Sequence, residues 1–144
     1  MRPKSLFHRC WCLIAAIFVI FPRPMSAMAE YVFQSQVHTF RAVTLARGIN
    51  QPWGMAFLPG NQGILVTEKA GEIRLYGDDL QPRLVSGVPD ATEFGQGGLL
   101  DVAVHPDFIN NGYIFLSFVG RSDLGLGIEL ARATLADGEL KDLK

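Results

Sequence analysis

One stretch of this chain occurs twice, and that constrains the fold more than any other feature. Gly54-Met55-Ala56-Phe57-Leu58-Pro59 aligns with Asp101-Val102-Ala103-Val104-His105-Pro106 at an offset of 47 residues. Each copy then passes through a polar turn into an apolar strand, Ile64 to Thr67 in one and Tyr113 to Ser117 in the other. The surrounding strands are short and evenly spaced. His38 to Arg47 reads as a strand that Asn50-Gln51-Pro52 breaks, and Trp53 to Leu58, Ile64 to Lys69 and Glu72 to Tyr76 follow, separated by clusters of Pro, Gly, Asn and Asp. Leu99 to His105, Gly112 to Val119 and Ile128 to Leu135 repeat the pattern, with His105-Pro106-Asp107 and Ala136-Asp137-Gly138 as turns. No segment carries a helical period. A repeat of about 40–50 residues with four short strands per unit is what β-propeller blades look like in sequence. The expected fold is all-β, a propeller of which about the first two blades are present.

Two blades leave a problem of closure. Propellers typically join roughly 4–8 blades around a central channel, so two alone expose strand edges and an apolar blade face with no neighbour. Edge strands such as Tyr113 to Phe118 are expected to pair with other chains. The chain therefore reads as the N-terminal part of a longer propeller, or as a truncated reading frame.

The first 29 residues read as a secretory signal peptide: Arg2, Lys4 and Arg9 precede the apolar run Trp11 to Phe21, and Ala27-Met28-Ala29 supplies small residues before Glu30. The apolar run is too short for the ~20 residues of an unbroken membrane helix, and Pro22 and Pro24 end it. An uncleaved N-terminal anchor is the competing reading. Residues 30–36 show no period and read as a flexible leader, and 37–144 as the propeller part. Cleavage would remove both cysteines, Cys10 and Cys12, and leave a chain with formal charge −5 held by its core alone. That combination suits the periplasm, with secretion to the outside as the alternative. Nothing resembles a basic stripe with interleaved aromatics, which argues against nucleic acid. His38 and His105 stand far apart with no thiol to join them, so no metal site is expected from these residues.

The candidate binding element is the loop Gly95-Gln96-Gly97-Gly98. Its glycines permit positive φ and close approach of a ligand to the backbone, and the Gln96 amide offers both donors and an acceptor. The alternative is a tight turn between blades with Gln96 facing solvent. Asp101 is a further possible site residue, a carboxylate on the strand after the loop; an Asp paired with a backbone amide fits as well. His105 precedes Pro106 at a strand end without an orienting partner, so a structural role is expected for it. Asp107, Asn110, Asn111 and Gly112 miss the alternating spacing of a calcium loop and read as turn-capping residues. Glu68 and Lys69 read as a solvated blade edge, and Trp53 and Phe57 as core between sheets.

Four motifs in order carry a resemblance: Asn50-Gln51-Pro52-Trp53-Gly54-Met55-Ala56-Phe57-Leu58-Pro59; Val66-Thr67-Glu68-Lys69 with Gly71-Glu72-Ile73; Gly95-Gln96-Gly97-Gly98-Leu99-Leu100-Asp101; and His105-Pro106-Asp107-Phe108. Over about residues 45 to 135 the chain resembles the soluble PQQ-dependent sugar dehydrogenases, in the aldose sugar dehydrogenase branch of the glucose/sorbosone dehydrogenase family. The resemblance implies a six-bladed propeller binding pyrroloquinoline quinone (PQQ) and calcium, and oxidising an aldose at C1 to a lactone with electrons passed to an acceptor. The proton goes to a general base while hydride passes to the quinone. In the family that base is a histidine in a His-x-x-Gly-Arg motif, which this sequence lacks. The groups that hold the cofactor and calcium belong, by the same resemblance, to later blades. Gln96 is the position that carries over, as a residue that orients the base or touches the quinone; the chain alone is expected to be inactive. A non-enzymatic exported propeller and a calcium-dependent lactonase on a similar propeller are the competing functions.

Overall fold

The computed structural model describes residues 30–144; the signal-peptide reading falls outside them. Strands β1 (Glu30–Gln34) and β2 (Thr39–Val43) form an antiparallel hairpin of their own. Strands β3 (Pro52–Leu58), β4 (Gly63–Glu68), β5 (Glu72–Tyr76) and β6 (Pro82–Leu84) form one four-stranded meander. Strands β7 (Leu99–Val104), β8 (Tyr113–Ser122), β9 (Gly125–Ala136) and β10 (Glu139–Lys141) form the second, in the same order. These are two propeller blades. The repeat seen in sequence is real in space, since β3 and β7 are the matching first strands and pack against one another.

Several local expectations need correction. The strand expected at His38–Arg47 is confined to Thr39–Val43 and belongs to the β1–β2 hairpin instead of the first blade. The fourth strand of each blade is β6 or β10, each only three residues long, too short to show a period. One helix occurs, α1 (Phe108–Asn111), a single turn. Gly112 closes it with φ 64, a left-handed conformation that glycine adopts without cost from a Cβ. Tyr113 to Phe118 is not an edge: it lies in β8, paired with β7 on one side and β9 on the other. Among the described residues no helix is long and apolar enough to cross a membrane.

The core lies between the two sheets. Alternation puts Leu58, Leu65 and Ile73 of the first blade on the face that meets Val102, Ile114 and Leu116 of the second, and all six are buried in one cluster. The opposite face of the first blade holds an ion pair instead. Glu68 is 1 % exposed, and its carboxylate accepts a hydrogen bond from Arg74, which also pairs with Glu72. That bond to Glu68 raises the Arg74 pKa and keeps the guanidinium charged. Glu68 is thus a buried, satisfied charge and not a solvated edge.

Both blades break their first ladder at the same place. Register shifts fall between Pro52 and Met55 in β3 and between Leu99 and Val102 in β7, again 47 residues apart. The bulge frees a backbone N–H that the ladder no longer pairs. Gly54 donates its N–H to Thr67 Oγ1 at 2.8 Å, and Asp101 donates its N–H to Ser117 Oγ at 3.1 Å. The Thr67 hydroxyl in turn donates to the Leu100 carbonyl of the second blade. A side-chain hydroxyl therefore closes each bulge, and in the first blade it also clasps the next.

Candidate functional site

The Gln96 loop sits where the first blade hands over to the second. Phe94 and Gly97 exchange two backbone hydrogen bonds, at 3.2 and 2.8 Å, which makes Gly95 and Gln96 the tip of a two-residue turn. Gly95 has φ 57 and Gln96 does not share the positive φ, the pattern of a type II′ turn with glycine in first position. The other two glycines serve close packing. A Cβ on Gly97 would lie 2.5 Å from Val119 Cγ2, and one on Gly98 would collide with the Lys69 carbonyl. The arms of the turn are tied to β8, with Thr92 N–H donating to the Val119 carbonyl and Val119 N–H to the Gly98 carbonyl.

Lys69 fixes the loop from the first blade. Its ammonium donates to the Gly95 carbonyl at 2.7 Å and pairs with Glu93 at 3.3 Å, while its own carbonyl accepts the Leu99 N–H at 2.9 Å. The side chain is mostly buried, so the reading of Lys69 as a solvated edge is also corrected. A charged hydrogen bond to a backbone carbonyl at the turn is stronger than a neutral one and sets the turn's position directly. Sequence reasoning missed this role because Lys69 and Gly95 are 26 residues apart and nothing in spacing connects them.

Beside the loop is a groove of about 480 Å³ lined by Trp53, Phe94, Gln96, Leu100, Val119 and Ile128 among others. Trp53 is 48 % exposed and Phe57 68 %, so neither packs as core; Trp53 is a wall of this groove. Its place within the β3 bulge, next to Gly54, is the signal that could have found it. Gln96 is exposed, and its amide makes no hydrogen bond to any described residue, so its donors and acceptor are available to a ligand. A mostly apolar cleft of a few hundred Å³ with one convergent polar group is the ordinary form of a small-molecule site.

The other candidates are placed elsewhere. Asp101 is exposed, receives the Val102 N–H at 2.9 Å, and packs against Gly54 without lining the groove. His105 stands at the far end of β7, six residues at about 3.3 Å each from the loop. Its Nδ1 accepts the Asp107 N–H at 3.0 Å and faces Asn111 Nδ2 at 2.9 Å, with its ring against Tyr113 and Phe115. Nδ1 is thereby occupied in organising the α1 turn. Asn111 accepts the Tyr113 N–H and so serves the backbone of its own turn, whereas Asn110 donates to the Asp107 side chain and Asp107 makes no side-chain cap bond to the helix. Among the described residues no three His, Cys, Asp or Glu side chains converge as metal ligands.

Comparison with known proteins agrees with this geometry. The chain is 44 % identical over 89 residues to aldose sugar dehydrogenase YliI of Escherichia coli K12, covering 60 % of this chain and 24 % of that protein. It is 32 % identical over 106 residues to quinoprotein glucose dehydrogenase B of Acinetobacter calcoaceticus, covering 71 % of this chain and 22 % of the relative. It therefore spans about a quarter of the length of these curated relatives. The crystal structure of the soluble E. coli aldose sugar dehydrogenase in its apo form superposes with a TM-score of 0.63 at 38 % identity, over 67 % of this chain and 29 % of that one. The glucose/sorbosone dehydrogenase family model matches residues 49–144, so the bulged first strands, both blades and the Gln96 loop all lie within the match, and the chain belongs to the glucose/sorbosone dehydrogenase family.

Proposed function

We propose that these two blades form the Gln96 wall of the active site of an exported, PQQ-dependent dehydrogenase that oxidises aldoses at C1 to lactones and passes the electrons to an external acceptor. The observation that carries this reading is the unpaired Gln96 amide at the rim of an apolar groove, on a turn anchored by Lys69. The amide can donate to a quinone oxygen or a sugar hydroxyl, or hold a neighbouring base in one orientation. Export rests on the signal-peptide pattern before Glu30.

The groove residues do not suffice to hold PQQ. It is a planar quinone bearing carboxylates, and Trp53, Leu100 and Val119 suit its flat ring, but no cationic side chain lines the groove. The Lys69 ammonium is engaged by Gly95 and Glu93. Nor does any described cluster suit calcium. No chemical step is therefore routed through the cofactor. What this chain contributes is an amide on an anchored turn and an apolar wall; dye-linked sugar oxidation by the purified chain with added PQQ and calcium is expected to be absent.

A chimera tests the reading. Residues 49–144 replace the matching segment of the E. coli relative, and aldose oxidation is measured with PQQ and calcium. Activity that survives the exchange and falls at least about tenfold with Gln96→Ala is the expected result. A chimera that melts cooperatively yet oxidises no aldose, or one indifferent to Gln96→Ala, sinks the assignment.

A further inference from the structure

A second cleft opens between the two blades at the end opposite the Gln96 loop. The Gln96 groove takes the beginnings of strands, with Trp53, Leu100 and Ile128, whereas this cleft takes their ends, with Leu58 closing β3, Phe108 following β7 and Leu135 late in β9. It encloses about 550 Å³, and both of its walls belong to the described blades. The floor is apolar: Leu58, Val85 and Phe108 are members of the interblade core, and Leu75 and Leu135 pack against it. The blades are braced on either side of it. Beyond β6, Ser86 donates its N–H to the Gly138 carbonyl at 3.0 Å and Leu140 donates to the Ser86 carbonyl at 2.8 Å, and a Cβ on Gly87 would strike the Leu140 carbonyl. Beyond β3, the turn that holds Gly60 meets α1 at Ile109.

The rim of this cleft carries one charge from each blade. Arg83, in β6 of the first blade, has a single ion pair among the described residues, with Asp79 at 3.8 Å, and a long contact between two exposed side chains holds little energy in water. Asp137, in the β9–β10 turn of the second blade, has φ 54, and its carboxylate has no hydrogen-bond or ion-pair partner among the described residues. The two line one cleft and do not reach each other. Gln62 joins them with an amide that is likewise without a hydrogen bond to any described residue. A cation and an anion at the mouth of an apolar cleft select by charge. A lone carboxylate would face Asp137 and Asp79, a lone amine would face Arg83, and a neutral sugar would leave both charges unmatched.

We propose that this cleft is a second binding site, for a zwitterion with an apolar body, of the class of a short apolar peptide. The terminal carboxylate lies on the planar Arg83 guanidinium, the terminal ammonium on Asp137, and the side chains cover Leu75, Val85 and Leu135. Arg83 and Asp137 stand too far apart to pair, and an extended dipeptide spans up to about 7 Å, so its two ends can serve both. Gln62 is left to meet the peptide bond, which offers a donor and an acceptor. A cleft of a few hundred Å³ with an apolar floor and few convergent polar groups is suited to a ligand of this size. The site is independent of the reading of the Gln96 groove.

Titration of the purified chain with leucyl-leucine, followed by the methyl NMR signals of Val85 and Leu135, tests this. Shifts that saturate below about 10 mM are expected there, with none at Val119 or Ile128 of the Gln96 groove. N-acetyl-leucyl-leucine lacks the ammonium and leucyl-leucinamide lacks the carboxylate, and each should bind about tenfold or more weaker than the free dipeptide. The variants locate the two ends. Asp137→Asn, which keeps a residue tolerant of positive φ, should weaken the free dipeptide about tenfold and leave the acetylated one unchanged, and Arg83→Gln should do the same with respect to the amide. Both positions are exposed, so both variants should melt as the wild type does. Absence of saturating shifts at Val85 and Leu135, capped dipeptides that bind as tightly as the free one, or an acetylated dipeptide that loses as much from Asp137→Asn as the free one does, overturns the proposal.

Discussion

The two blades are built alike and differ in what they touch. Each is a four-stranded meander with a bulge in its first strand and a hydroxyl, Thr67 or Ser117, that closes the bulge. Yet Leu65 and Ile73 are sealed from water while Phe115 and Leu130 lie open. Burial here belongs to the neighbour and not to the strand. A propeller blade is half of an interface on each side, and its stability depends on which halves are occupied. The other side of the comparison is chemical: the first blade has Glu68 and Arg74 where the register of the second puts Phe118 and Ala131.

The largest expected effect breaks the comparison at its most unequal pair. Leu65→Ala opens a cavity in the interblade core and should destabilise the chain by about 2–5 kcal/mol. Phe115→Ala, at the matching position, should cost well below that, since the ring is already half wet. Urea denaturation at a concentration low enough to keep the chain monomeric measures both. Similar midpoints for the two variants would mean that the β8–β9 face is covered in solution. The next effect sharpens the chemical difference. Arg74→Ala leaves the buried Glu68 carboxylate alone, which costs about 3–5 kcal/mol for a fully buried pair and less here because Arg74 reaches solvent. Giving the first blade the pair found in the second, Glu68→Phe with Arg74→Ala, should recover most of that loss. If the double variant is no better than the single, the ion pair is not interchangeable with apolar packing at this site.

Much of this was legible in the residues, and the failures share a cause. The offset of 47 identified the repeat unit because β3 and β7 meet the same surroundings, so the same residue types recur. The Gly95 to Gly98 loop was legible because each glycine meets a backbone or packing demand that few other residues satisfy. What stayed hidden depends on partners distant in sequence. Trp53 and Phe57 look like core by type, and only the position of the second blade shows that Phe57 points away from it and that Trp53 walls an open groove beside it. Lys69 looks like a surface lysine until Gly95 is placed beside it. The strands β6 and β10 have three residues each, fewer than a period-two pattern needs to be seen.

The smallest effect tests the hydroxyl clasp, the feature most nearly shared by the blades. Thr67→Val keeps the volume and removes the hydrogen bonds, leaving the buried Gly54 N–H without its acceptor and the Leu100 carbonyl without its donor. Unsatisfied groups of this kind cost about 1–3 kcal/mol together, since a buried donor cannot turn to water instead. Ser117→Ala removes only the acceptor of the Asp101 N–H, at an exposed residue that water can reach, and should cost less than about 1 kcal/mol. The ratio matters more than either value. A bulge closed by a hydroxyl is a local device, so an excess at Thr67 measures two things together, the burial of the Gly54 N–H and the bond that crosses from one blade to the next. Should Ser117→Ala prove as costly as Thr67→Val, the Ser117 hydroxyl must also reach across an interface, and the β8–β9 face would have to be occupied under the conditions of the measurement.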